Sequence, residues 1–191
     1  MKRVERAEIL DYVTYEERRD SIRKAALAAK EPRRIHLGDD ITILFENRDT
    51  VRYQVQEMVR VERLVKESEI QHELDTYNEL LGDEGQLGCT LLIEIDDKEV
   101  RDVKLKQWLD LPENIYLRLE DGKKVYATFD PRQKGEDRLS SVQFLKLDTK
   151  GCVPVAAGVD VEGVRAETEL SEFQRQALAE DLGRAAARGH T

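Results

Sequence analysis

The segment from Asp49 to Lys66 brings the most chemically capable side chains together. Wound at about 100° per residue, it gathers Arg52, Tyr53, Gln56, Glu57 and Arg60 on one side, with Arg63 beyond them. Two guanidinium forks, a carboxylate, an amide and a phenol can clamp a carboxylate or phosphate at two points, or dock a protein partner. For an enzyme acting on a small anionic substrate, Glu57 or Glu62 is the candidate base. The same face equally fits a solvated helix surface laced by pairs such as Glu57–Arg60. Glu62 falls within the apolar arc of this segment, formed by Val51, Val55, Met58, Val61 and Val65. A carboxylate there is driven toward its neutral form unless it pairs with Lys66.

Glu69 and His72 have the Glu-x-x-His spacing of two-metal carboxylate bundles. Such bundles need a second copy of the motif and two further glutamates. The chain has a single copy, so the expectation narrows to one Fe or Zn ion held by Glu69, His72 and Glu73, within the chain or between subunits. His72 lies opposite Ile70, Leu74 and Tyr77 and is expected to face solvent. The loop from Asp130 to Ser141 sets Arg132, Lys134 and Arg138 around Gly135, which suits an anion or a plain charged connection. Cys89, amid Leu and Ile, reads as a small core residue.

Phosphate-cradling glycine loops, a nucleophile elbow, HExxH and calcium loops are all missing. Three histidines exclude a His-rich metal cage, and no cofactor is required by the residues present. Net charge is −9, and residues 35–100 form an acidic middle more negative than the chain as a whole, which argues against nucleic-acid binding. Two isolated cysteines, a charged start from Lys2 onward and no long apolar run lead to the expectation of a cytoplasmic protein that does not enter membranes.

Positioning these side chains requires helices first and strands later. Thr14 to Glu17 offers a capping box for a helix over 15–30, with a stripe of Tyr15, Ile22, Ala25, Ala26 and Ala29. Arg33–Leu37 and Ile41–Glu46 read as a hairpin, and 49–66 and the segment after Ser68 as amphipathic helices. Leu87–Ile95 reads as a buried strand. Asp97 caps a helix ending near Leu109. Asp121-Gly122 is the strongest hairpin signal, joining Ile115–Glu120 to Lys123–Phe129, with Ser141–Leu147 as a third strand of that meander. Gly151–Gly163 reads as a loop, Val164–Leu170 as a strand, and Glu172 to about Arg184 as a helix capped by Ser171 and Gln174. The result is one α+β domain over 1–184, a mostly antiparallel sheet packed with three to five helices, followed by a frayed tail over 185–191.

The stretches FENRDTVRYQVQEM at Phe45–Met58 and ELDTYNELL at Glu73–Leu81, with GCTLLIEI and GEDRLSSVQFLKL, resemble the bacterial family known as domain of unknown function 3501. The resemblance spans Arg6 to Leu182. It implies a small cytoplasmic protein encoded beside rubrerythrin-like proteins and iron–sulfur oxidoreductases. Two cysteines fall short of the four thiolates a cluster takes. The expected role is therefore a non-catalytic accessory subunit that docks on such a redox protein. A metal-binding domain or an enzyme for a small anionic substrate is the alternative.

Overall fold

The computed structural model describes residues 1–133, 135 and 137–183. Lys134 and the expected frayed tail lie outside them. The elements in chain order are α1 (Tyr12–Lys30), β1 (Arg34–Leu37), β2 (Ile41–Phe45), α2 (Arg48–Val61), α3 (Glu67–Asn78), β3 (Gln86–Ile93), α4 (Lys98–Gln107), β4 (Ile115–Arg118), β5 (Lys124–Tyr126), β6 (Val142–Asp148), β7 (Ala156–Val159), β8 (Ala166–Glu169) and α5 (Glu172–Asp181). The fold is α+β, and every strand pairing is antiparallel.

The strands form two four-stranded sheets, ordered β1-β2-β3-β6 and β5-β4-β7-β8. Their edges meet. Thr128, just past β5, exchanges backbone hydrogen bonds of 2.8 Å with Lys146 of β6. At the other seam the Thr168 hydroxyl of β8 donates to the His36 carbonyl of β1 at 2.6 Å. One seam is thus bridged by backbone bonds and the other by a side-chain bond. Between the sheets lies one apolar cluster, including Ile35, Ile43, Phe45, Leu91, Leu145, Leu117 and Val159, with Leu105 and Trp108 added around α4. A second cluster, Val51, Val55, Val59, Ile70, Leu74 and Leu81, fixes α2 to α3 and takes in Val4 and Ile9 of the N-terminal segment.

Several elements depart from expectation. Helix α1 starts three residues early because Asp11, not Thr14, is the cap, accepting from the amides of Val13 and Thr14. Helix α3 starts at Glu67, so Ser68 lies inside its first turn and caps nothing. Helix α2 ends a turn early, at Val61. Arg63 adopts a left-handed φ of 51°. The amide of Leu64 reaches back to the carbonyl of Val59 at 3.0 Å, and Leu64 packs on the second cluster that contains Val59. This reversal with an apolar closing contact is the usual left-handed helix stop, here with Arg in the position glycine favours. The apolar arc is accordingly Val51, Val55 and Val59, while Val61 and Val65 are exposed. Glu62 is the exposed C-cap.

Strand β6 is not the third strand of the β4–β5 meander. It pairs along its whole length with β3, because its inward residues Leu145 and Leu147 are needed by the first sheet. The expected loop over 151–163 contains β7, a buried strand at the centre of the second sheet. Three of its four residues, Ala156, Ala157 and Gly158, carry little strand propensity. Their smallness is what the site needs. A Cβ on Gly158 would lie 2.4 Å from Tyr116 Cζ, and Tyr116 and Arg118 of β4 bond with Glu167 and Glu169 of β8, on the far side of β7.

Candidate functional site

Helix α1 lies along α2 and covers much of its polar face. The Tyr15 hydroxyl donates to Glu57 Oε1 at 2.6 Å. Arg19 donates from Nε to Oε1 at 2.8 Å and from Nη2 to Oε2 at 3.0 Å. Arg60 adds a contact of 3.3 Å to the same carboxylate and one of 3.6 Å to Glu16. Burial pushes the Glu57 carboxyl upward, but the hydrogen bonds from Arg19 and Tyr15 and the charges of Arg19 and Arg60 outweigh it and hold the group at about 2. A carboxylate held so firmly ionised is a weak proton acceptor near neutral pH. Burial and the Glu57 carboxylate push the Tyr15 phenol well above its ordinary value.

The remaining residues of the predicted face divide. Gln56 is buried and exchanges two hydrogen bonds with the Leu10 backbone, at 2.9 and 2.8 Å, which pins the N-terminal segment. Asn78 holds Val4 in the same two-point manner, at 2.9 and 3.0 Å. Arg52 and Tyr53 stay partly accessible. Arg52 pairs with its neighbour Asp49, at 3.1 Å, and the Lys30 ammonium sits 5.3 Å from the Tyr53 ring centre. Both residues border two hollows between α1 and α2, of about 260 and 240 Å³, which also share Ile22.

The predicted metal residues all lie on α3. Glu69 pairs with Lys66 at 3.1 Å, His72 is exposed and Glu73 is half-buried. Among the described residues, no group of three or more His, Cys, Asp or Glu side chains could hold a metal ion. In the 130–141 loop, Arg132 closes on Asp130 and Arg138 on Asp102, so these two cations do not converge on one point. Cys89 is buried, and burial, then the Glu46 charge, pushes its thiol well up; Cys152 is exposed.

Two buried polar clusters were not foreseen. Glu46 accepts from Thr50 and Thr90, while Asn47 and Thr50 cap each other's amides at 3.0 Å. The FENRDT motif is thus a device for starting α2 at the end of β2. Arg33 grips Asp181 of α5 with two bonds of 2.7 and 2.8 Å, both side chains under a tenth exposed. Burial pushes the Asp181 carboxyl up against the pull of Arg33.

Also unforeseen is an open groove of about 530 Å³ between α3 and β6. Tyr77 and Leu80 form one wall, Phe129 and Phe144 the other, and Lys146 stands in the lining. A signal for it existed in Val142 to Leu145, since apolar residues on both faces of a strand imply that neither face is simply solvated.

The chain superposes with a protein of unknown function from Burkholderia pseudomallei at a TM-score of 0.86 and 27% identity, over 95% of this chain and 100% of that one. A secreted Mycobacterium tuberculosis protein, MPT63, aligns at a TM-score of 0.24 with 11% identity, over 44% of this chain and 63% of that one, a likeness too slight to inform the fold. No curated protein matches the chain. A family model described as Protein of unknown function (DUF3501) matches residues 3–182, and the chain belongs to that family.

Proposed function

We propose that this chain is a non-catalytic accessory subunit that docks, through the cleft between α1 and α2, on an iron–sulfur oxidoreductase or a rubrerythrin-like redox protein. The redox character of the partner comes from the family resemblance. The docking surface comes from geometry. Of the five residues on the polar face of α2, Glu57 and Arg60 hold α1 to α2, and Gln56 holds the Leu10 backbone just before α1. Arg52 and Tyr53 remain at two adjoining hollows lined by Ile22 and, in the larger, Ala25. That is the observation carrying the proposal. Paired hollows between helices accept apolar side chains from a partner, and the ionic rim, with Arg52 paired to Asp49 and Glu8 to Arg48, suits polar residues of either sign beside them. Of the two candidate bases of an enzyme for a small anionic substrate, Glu57 is clamped by three side chains and Glu62 is the exposed C-cap of α2, lining neither hollow.

The test is calorimetric titration of the intact chain against purified redox proteins of those two kinds. A complex at about 10 μM or tighter is expected, weakened about tenfold or more by Ile22→Asp and by Arg52→Ala. Absence of a complex with either kind, or a complex indifferent to both changes, contradicts the proposal.

A further inference from the structure

We infer that the groove between α3 and β6 is a binding site for a small amphipathic anion, a molecule with an aromatic or fused-ring body and one acidic group. The groove lies apart from the α1–α2 cleft and does not depend on the docking role.

The chain has four phenylalanines, and two of them, Phe129 and Phe144, line this one groove together with Tyr77. Phe144 is 39% exposed and Val142, on the same side of β6, 42%. Aromatic surface left open to water at a concave site marks ligand or partner binding. The volume falls within the roughly 300–1,000 Å³ of small-molecule sites.

Charge selects the ligand's polar end. Arg132 is neutralised by Asp130 and Glu79 by Arg3. Lys146 has no ion pair among the described residues. One cation without an ion pair among the described residues, in a lining that holds three aromatic side chains, matches one anionic group.

Backbone chemistry separates a small molecule from an extended peptide. A peptide would bind by pairing with the outward amides and carbonyls of β6. Those groups are occupied. Gln133 Oε1 accepts from the Phe144 amide at 2.8 Å and Gln133 Nε2 donates to the Phe144 carbonyl at 3.2 Å, so a side-chain amide stands where a strand would. Thr128 takes both backbone groups of Lys146. A strand finds nothing to pair with here, whereas a ring system needs no such pairing.

The test uses 1-anilinonaphthalene-8-sulfonate, fused rings with a single sulfonate, titrated into the intact chain and followed by its fluorescence. Near-ultraviolet dichroism of buried Trp108 verifies that each variant is folded. Saturable binding at one site is expected, weakened about tenfold by Lys146→Met and abolished by Phe144→Ser. Phe173→Ser, at a 59% exposed phenylalanine on α5, should leave it unchanged. N-phenyl-1-naphthylamine, which lacks the sulfonate, should bind with no sensitivity to Lys146→Met. Lack of saturable binding, binding indifferent to Lys146→Met and Phe144→Ser, or equal loss in Phe173→Ser overturns the inference. Since Lys146 is on the surface, its variant decides the matter even if Phe144→Ser fails to fold.

Discussion

Around Glu57, three side chains from two helices converge on one carboxylate and close the space between them. Around Phe144, aromatic rings from α3, the segment after β5, and β6 leave about 530 Å³ open. The first region is rich in ionisable groups and spends them on structure. The second has, among the described residues, one cation without an ion pair, Lys146, and keeps apolar surface facing water. Density of reactive side chains is therefore a poor guide to which surface stays open in this molecule. A charged helix face can be an adhesive between helices, while a concavity lined by aromatic rings can stay unfilled.

The contrast breaks most visibly if the closed ionic clusters prove dispensable. Arg33→Ala should have the largest effect, because it leaves the Asp181 carboxylate buried without its partner. A loss of about 3–5 kcal/mol in urea unfolding is expected, and a loss below about 1 kcal/mol would remove the buried pair from the account. Glu57→Gln should cost on the order of 2 kcal/mol at pH 7, since two charge-assisted bonds from Arg19 are weakened at once.

That second change also sharpens the comparison through pH. The folded-state pKa of Glu57, about 2, lies below the roughly 4.3 of an unfolded glutamate. Its stabilisation is thus present above the unfolded value and lost as pH falls through the window toward 2. Urea midpoints between pH 5 and 2.5 should fall more steeply for the wild type than for Glu57→Gln; parallel curves would say that the carboxylate gains nothing from its neighbours.

Smaller effects test where each region ends. Arg63→Gly places glycine in the left-handed stop of α2 and should raise stability by about 1 kcal/mol. A decrease would mean that the Arg63 side chain makes a contribution of its own. Phe144→Ser should change stability by no more than about 0.5 kcal/mol, although it removes the groove's aromatic wall. A loss of several kcal/mol would make Phe144 a core residue and the groove a packing defect.

Much of the architecture was legible locally. Asp97 and Ser171 cap α4 and α5 as their spacing implies, and the Asp121-Gly122 turn joins β4 to β5. These signals are chemical and short-range, so a linear reading finds them. What could not be read depends on distant partners. β7 looks like a loop because alanine and glycine are weak strand formers, and only the Tyr116 ring beside Gly158 explains why that position carries no side chain. Val61 and Val65 continue the helical period, but the packing of Leu64 reverses the chain before they can use it. Within the candidate sites, the grouping of Arg52 to Arg60 on one side of α2 was correct in geometry. Its burial under α1 was invisible, because nothing local announces that Tyr15 and Arg19 will point at Glu57. The groove was hidden for the same reason, its walls being drawn from α3, the segment after β5, and β6.

A double-mutant cycle on Arg19→Ala and Glu57→Ala, read by urea unfolding at pH 7, probes the helix clamp directly. Coupling of about 1–3 kcal/mol is predicted. Additive losses within about 0.3 kcal/mol would show that the two side chains do not hold α1 to α2, and the polar face of α2 would again be a free surface.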